Sequence, residues 1–300
     1  MIAFDLRQRA QILNLFLGLV LYKMILENFD FRFLKNAAAV FFWILYANLI
    51  FCVLQVFDMD PIHQSFGGVI KGFPQPVGLM RLSEHLGTLS AILAPAIAIL
   101  SPWLVLVAIP LVFFSKTSGA VACLVLSLSF LIYRSKGLKF LIPFLLLALS
   151  AGTYYVLKVD MPGGNFHYRF IVWFMGIKEV LRSSLYLGLG IGSWFQWAPQ
   201  TDQLTNPQPL TWLWAHNEYL QVFFELGAVG LVILLVFLSN RFKQFEQTEK
   251  SFELDCLFAS FFSLCLISVL HFPFHMGRFA PLAVFIMALF HTKMIEDSNV

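Results

Sequence analysis

The fold class of this chain follows from residues 216–243, which read HNEYLQVFFELGAVGLVILLVFLSNRFK. Within this stretch residues 219–239 are almost entirely apolar, and Glu225 is their single charged residue. About 20 such residues are needed for a helix to cross the roughly 30 Å of hydrocarbon in a bilayer. Arg241 and Lys243 follow at once, and short cytoplasmic loops are rich in such residues. The stretch therefore predicts a transmembrane helix that ends in the cytoplasm.

The rest of the chain has the same apolar character. Hydrophobic residues make up 59% of its 300 residues and charged residues 12%, whereas a soluble domain has about 25% charged residues. The net charge of +3 is small, and no basic patch with interleaved aromatic residues is present, so nucleic acid is not expected as a partner. The four cysteines lie in apolar runs without paired spacing, which predicts neither disulfides nor a zinc site.

Apolar segments recur along the chain and predict an all-α integral membrane protein with about nine transmembrane helices, forming one polytopic domain over residues 1–300. The candidate spans are residues 10–28, 36–57, 85–100, 102–115, 117–133, 138–157, 219–239, 256–271 and 279–295. The first is the weakest, because Lys23 and Glu27 lie inside it.

The loop charges orient these spans, since lysine and arginine are enriched in short cytoplasmic loops. With nine spans, four basic clusters fall on one side of the membrane, namely Arg32/Lys35, Arg134/Lys136/Lys139, Arg241/Lys243/Lys250 and Lys293. This orientation predicts a large extracytoplasmic loop at residues 158–218, with 58–84 and 271–278 also outside. Arg7 and Arg9 disagree with it, so either the first segment lies in the interface or one span is miscounted.

The large outer loop begins with a predicted amphipathic helix, MPGGNFHYRFIVWFMGIKEVLRSS, residues 161–184. Arg169, Trp173 and Gly176 recur at i, i+4 and i+7 and therefore share one face of it. Tryptophan prefers the headgroup level of a membrane, so the loop is predicted to lie on the bilayer. The tryptophans that support this prediction are Trp194, Trp197, Trp212 and Trp214.

Two further patterns invite a ligand-binding interpretation that their context does not favour. Gly188, Gly190 and Gly192 form a GxGxG string, but no preceding strand supports a nucleotide site, so a tight loop against the membrane is predicted. His271 and His275 have the i, i+4 spacing of a metal pair, but Pro273 lies between them and no third ligand is evident. No metal is expected.

Polar residues mark the outer end of the helix that follows the large loop. Asn217, Gln221 and Glu225 share one stripe at i, i+4 and i+8. Glu225 lies about two turns below the predicted membrane surface, where an ionisable group is costly unless it is paired or faces a wet cavity. His216 lies at the mouth, where an imidazole can exchange protons with a substrate. Both are therefore candidates for function, although a satisfied interfacial histidine and a structural glutamate are the common alternatives.

The same region resembles the bacterial O-antigen ligase and O-antigen polymerase superfamily. His216-Asn217-Glu218-Tyr219-Leu220, followed by Glu225-Leu226-Gly227 and Gly230, is similar to the HNxYL…ExG…G signature of that family. The Arg169…Trp173 pair and the GxGxG string are similar to two further family patterns. Two family patterns are altered: the loop before the third span reads GLMRLSEHLG, and Ser118 stands where a Ser-x-Ser-Arg-Gly-like turn has its arginine.

The resemblance implies an inverting, metal-independent and cofactor-free glycosyltransferase of surface polysaccharide or lipopolysaccharide synthesis. Its donor is a glycan linked to polyprenyl (undecaprenyl) diphosphate, and its acceptor is a glycan, a lipid or a protein. Arg169 is implied to bind the diphosphate and His216 to act as the base for the acceptor hydroxyl. Additional substrate-binding candidates are Arg81, Lys116, Asn217, Glu225 and Arg278.

Other functions remain open at the level of the sequence. A membrane transporter is the main alternative, because the buried Glu225 of a polytopic chain could pass an ion, although no two matching halves are visible. A catalytically degenerate accessory member of the same superfamily is another, favoured by Ser118. The sequence does not separate an O-antigen ligase from a polymerase or a protein O-glycosyltransferase.

Overall fold

The computed structural model describes residues 2–57, 59, 69–70, 73–74, 76–80, 82–159, 164–194, 197, 215–271, 273–275 and 279–298. Within these ranges the chain is almost entirely helical. Its helices are α1 (Ile2–Asn28), α2 (Phe31–Val56), α3 (Ser83–Ile97), α4 (Ala108–Ser115), α5 (Ser118–Lys136), α6 (Leu138–Val159), α7 (Gly164–Ser183), α8 (Glu218–Gln247), α9 (Phe252–Ile267) and α10 (Ala280–Ser298). A 3-10 helix, Pro102–Val107, precedes α4, and β1 (Val69–Ile70) pairs antiparallel with β2 (Phe73–Pro74).

Three of the described helices are long and apolar enough to cross a membrane, and they are Arg32–Val56, Ser118–Lys136 and Glu218–Gln247. Pro102–Ser115 and Leu138–Ala148 are shorter apolar helices. The predicted class, a helical membrane protein, is thereby confirmed, whereas the count of nine spans stays a prediction. With 15 and 16 residues, α3 and α9 are only about 23 Å long at 1.5 Å per residue.

The chain divides into two compact units. The first unit comprises Met1–Glu27, Pro162–Thr248 and Ser268–Met294, and it contains α7 and α8. The second unit comprises Asn28–Met161, Glu249–Ile267 and Ile295–Val300. The prediction of one polytopic domain over residues 1–300 stays a prediction.

The second unit is organised around α3, in which every residue from Leu86 to Ile97 is buried. A helix buried on all sides must be covered by several neighbours, and α3 packs against α2, α4, α5 and α9. Side chains of α2 also hold the turn that leads to α3. The Gln55 side-chain oxygen accepts from the Val77 and Gly78 N–H groups, at 2.9 Å each.

An ion pair joins α5 to α9 in this unit. Arg134 Nε lies 3.2 Å from Oδ1 and 3.3 Å from Oδ2 of Asp255, whose side chain is mostly buried. We expect Arg134→Ala to lower the free energy of unfolding by about 1–3 kcal/mol, because it leaves a poorly solvated carboxylate without its donor. Thermal unfolding in detergent measures this, with the exposed Lys136→Ala as the control. Equal unfolding temperatures for the two variants would contradict the expectation.

In the first unit an aromatic core lies between α7 and α8. The Trp194 ring meets Phe224 edge-on, with ring centroids 4.9 Å apart, and Trp197 packs against both. Gly176 of α7 makes room for this core, since a Cβ there would lie 3.0 Å from Trp194 Cζ3. Trp194 is 0% exposed, so its ring packs inside the protein and does not face lipid headgroups, whereas the position of the large loop on the bilayer stays a prediction. Trp212 and Trp214 lie outside the described residues.

The α8 helix is broken at Gly227, whose φ of 67° and ψ of −165° are not helical. The loop that carries the GxGxG string fills the break. The Leu189 and Gly190 N–H groups donate to the carbonyls of Phe224 and Glu225, at 2.9 Å each. The loop is tight and lies against the backbone of α8, whereas its predicted position against the membrane stays a prediction. It supplies hydrogen bonds that a broken helix would otherwise lack in an apolar environment.

Candidate functional site

One face of α7 contacts Ala215, just before α8, and Leu270, in the segment that follows α9. Arg169 Nη1 donates to the Leu270 carbonyl at 3.1 Å, and one turn later Trp173 Nε1 donates to the Ala215 carbonyl at 2.6 Å. Gly176, the next residue of this face, packs on Trp194. These three contacts confirm that Arg169, Trp173 and Gly176 share one face of α7. Arg169, the first of the three along the helix, is partly exposed.

His216 lies at the start of α8 in a strained backbone conformation. Its φ is +51°, in the left-handed region that few residues other than glycine adopt. Asn217, which follows, is the N-cap, and its side-chain oxygen accepts from the Leu220 N–H at 2.9 Å. Strain of about 1–3 kcal/mol at a non-glycine residue persists only where surrounding contacts enforce it, and such residues concentrate at functional sites.

Arg169 and His216 are brought to one short segment of the first unit. This 268–275 segment, described except for residue 272, follows α9. Arg169 donates to the carbonyl of Leu270, and the His216 ring faces the ring of His271 with centroids 6.4 Å apart. Because Leu270 and His271 are consecutive, the two predicted catalytic residues contact neighbouring positions of the same segment.

A buried charge cluster lies on the adjoining part of α8. Glu218 and Glu225 are two turns apart and only 3% and 2% exposed. His275 joins them, since its Nδ1 hydrogen-bonds Glu218 Oε1 and its Nε2 lies 3.6 Å from Glu225 Oε2. Gln221 Nε2 donates to Glu225 Oε1 at 3.2 Å. Gln221 and Glu225 of the predicted polar stripe thus belong to a network that Glu218 and a histidine from another segment complete.

The charge of His275 follows from its neighbours. Burial lowers the pKa of His275, but the carboxylates of Glu218 and Glu225 raise it more strongly, and the resulting pKa is about 10. The imidazole is therefore protonated at neutral pH and is the cation beside the two carboxylates. His271 packs against the His216 ring, whereas His275 contacts Glu218 and Glu225. His271 and His275 therefore make separate contacts.

Glu218 and His275 are the residues of this cluster whose pairing the sequence did not predict. The signal available was the seven-residue spacing of Glu218 and Glu225, which places two carboxylates on one helix face. Two buried carboxylates require a cation. The cation is His275, which lies 50 positions after Glu225. In the sequence, only the predicted location of His275 on the outer side of the membrane linked it to the start of α8.

The remaining predicted binding residues have different positions. Asn217 uses its side-chain oxygen to cap α8, and Glu225 belongs to the buried cluster. Lys116, in the second unit, ends α4 with a left-handed φ of 50°, and burial lowers the pKa of its amine. Arg81 and Arg278 lie outside the described residues. Their contacts with substrate stay predictions.

Comparison with known proteins adds to this geometry. A sequence model of the family described as O-antigen ligase matches residues 86–235, which is half of the chain. The chain belongs to the O-antigen ligase family. The match includes Arg169, His216 and Glu225, and it ends before the 268–275 segment. A search of curated proteins finds no match.

Membership of the O-antigen ligase family agrees with the resemblance that the His216 motif carries. Together with the membrane-spanning helices, it supports a membrane glycosyltransferase-like role in surface polysaccharide synthesis, at the inner membrane.

Proposed function

We propose that this protein transfers a glycan from a polyprenyl-diphosphate carrier to an acceptor hydroxyl at the outer face of the cytoplasmic membrane. The observation that carries the proposal is the approach of Arg169 and His216 to consecutive residues of the 268–275 segment. Membership of the O-antigen ligase family supports the reaction class. The acceptor is a lipid, a glycan or a protein.

Arg169 binds the diphosphate of the donor in this proposal. A guanidinium forks onto phosphate oxygens with two parallel charge-assisted hydrogen bonds and keeps its charge at every physiological pH. The hydrogen bond from Nη1 to the Leu270 carbonyl orients the planar group. As the bond between the sugar and the diphosphate breaks, negative charge grows on the departing oxygens, and Arg169 stabilises it.

His216 acts as the base for the acceptor. The acceptor hydroxyl oxygen attacks the anomeric carbon, the bond from that carbon to the diphosphate oxygen breaks, and the hydroxyl proton passes to the imidazole. An imidazole has its ordinary pKa close to neutral pH, where a general base is most effective. A single displacement inverts the anomeric centre. In this proposal it requires neither the pair of carboxylates that a retaining glycosidase uses nor a metal ion.

The outward face of α7 supports a position of this helix in the headgroup region. Phe170, Phe174 and Leu181 recur at helical spacing and are 56%, 69% and 58% exposed. Lys178 and Arg182 lie beside them and are also exposed. An amphipathic helix with an apolar face and flanking basic residues lies in the plane of a membrane surface. At that depth Arg169 meets the phosphates of a lipid-linked donor in this proposal.

The test is a transfer assay with the purified protein in detergent, without any ion gradient. A polyprenyl-diphosphate glycan with a labelled sugar is supplied together with candidate acceptors, and the released polyprenyl diphosphate is measured. We expect release that depends on both the protein and an acceptor. Solute movement across proteoliposomes without donor consumption would instead indicate a transporter. Absence of both activities would indicate a degenerate accessory protein.

Cells with and without the protein distinguish the acceptors. Loss of attached surface glycan, with the lipid-linked intermediate accumulating, is the result for a ligase. Glycans reduced to a single repeat are the result for a polymerase. Loss of glycan from protein alone is the result for a protein O-glycosyltransferase.

A further inference from the structure

We propose that His275 is a positioning residue of the transfer site: by tying Glu218 and Glu225 together, it holds the 268–275 segment against the start of α8. Through this segment it sets the positions of Arg169 and His216. The match to the O-antigen ligase family ends at residue 235, so His275 lies outside it. The activity part of the inference rests on the proposed function, whereas the structural part does not.

The 268–275 segment is attached to the first turn of α8 at both of its ends. At one end the Ser268 carbonyl accepts from the Glu218 N–H at 2.8 Å. At the other end the Phe274 N–H donates to Glu218 Oε2 at 3.3 Å, and His275 Nδ1 bonds the other oxygen of the same carboxylate. Glu218 therefore joins both ends of the segment to α8.

His275 extends this attachment by two helical turns. Its second nitrogen, Nε2, lies 3.6 Å from Glu225 Oε2. Both carboxylates are almost completely buried, and a buried charge that loses its partner is strongly destabilising. His275 is the cation that these two carboxylates share. Without it the two negative charges would repel each other, and the end of the segment would be held less firmly to α8.

The attached segment in turn carries the two residues of the proposed reaction. Leu270 receives the hydrogen bond from Arg169, and His271 packs on His216. Both lie between the two points at which the segment is fastened to Glu218. A shift of the segment therefore moves the guanidinium and the imidazole relative to each other, although His275 itself is not assigned a contact with substrate.

The structural part of the inference is tested by thermal unfolding of the full chain in detergent between pH 6 and pH 10.5. The raised pKa of His275 means that its contribution to stability is complete below about pH 6.5 and is lost progressively as the pH rises to about 10. The charged groups facing it are Glu218 and Glu225 of α8, and Arg169 and His216 contact other residues of the same segment. We expect His275→Gln to remove this decline, and Lys178→Gln, an exposed cation of α7, to retain it.

The Glu225→Gln variant gives an independent test, which remains valid even if the His275→Gln variant fails to fold. The amide has the shape of the carboxylate and keeps an oxygen for the Gln221 donor. It removes one of the negative charges that raise the pKa of His275. The upper end of the pH-dependent decline is therefore expected at a lower pH than in the parent protein. An unchanged upper end, or a decline that persists in His275→Gln, would overturn the inference.

The activity part is tested with the same variants in the transfer assay at pH 7. We expect His275→Gln to lower kcat/KM by about 10- to 100-fold, because small displacements of catalytic groups have effects of this size. The KM for the donor should rise and kcat should fall, since Arg169 and His216 both lose their positions. Full transfer by a folded His275→Gln variant would overturn the positioning role. Absence of transfer in the parent protein would refute the proposed function instead, and the unfolding data would still decide whether the cluster holds the segment.

Discussion

Replacing His216 with alanine is expected to reduce the rate of glycan transfer by about 10²–10⁴-fold, the range over which a general base contributes. Replacing Arg169 with alanine is expected to reduce it by about 10²–10³-fold, as the loss of a preorganised group on developing charge does. The two losses should differ in kind. Arg169→Ala raises the KM for the donor and also lowers kcat, because the guanidinium binds the diphosphate and stabilises its developing charge, whereas His216→Ala lowers kcat alone. Initial rates at varied donor concentration measure both.

The conformation of His216 provides a control that separates catalysis from folding. Glycine adopts a φ of +51° without strain, so His216→Gly is expected to unfold at the same temperature as the parent protein or higher, while transfer is lost. Arg182→Ala, an exposed arginine on the same helix as Arg169, should retain full transfer. Full activity in His216→Gly or Arg169→Ala would remove these residues from the reaction.

Substitution of Gly188 or Gly227 is expected to have the largest effect on folding. Each has a positive φ, which costs an alanine about 1–2 kcal/mol, and their backbones are in direct contact. A Cβ on Gly188 would lie 2.5 Å from Gly227 N and 2.6 Å from the Glu225 carbonyl oxygen. A further 1–3 kcal/mol or so follows from this overlap, because the backbone cannot change rotamer to relieve it. We expect both alanine variants to unfold at much lower temperatures or to accumulate poorly in the membrane.

Gly190→Ala is the matched control for these two variants. Its φ of +96° carries the same kind of strain, but nothing lies within 4 Å of the added Cβ. Only the strain of the positive φ should therefore lower its free energy of unfolding, and its unfolding temperature should fall less than that of Gly188→Ala. If Gly188→Ala and Gly190→Ala were equally stable, the close crossing of the loop and α8 would not be a source of stability.

Much of the site was predictable because helices repeat at short range. The spacing of Arg169, Trp173 and Gly176 predicted their common face, and the structure shows them contacting Leu270, Ala215 and Trp194. The burial of Trp194 in the protein core was not predicted, for a physical reason. An aromatic ring is equally suited to a lipid interface and to a protein core, and composition alone does not distinguish the two environments.

The membrane class, the start of the helix near His216 and the face of α7 were all contained in the sequence, because hydrophobic length and helical periodicity are local properties. The break in α8 and the pairing of His275 with Glu218 and Glu225 were not. A glycine permits a left-handed backbone without requiring it, so the break is chosen by the loop that docks there. Likewise, a buried carboxylate needs a cation but does not specify which one, and only the packing of the 268–275 segment against α8 selects it.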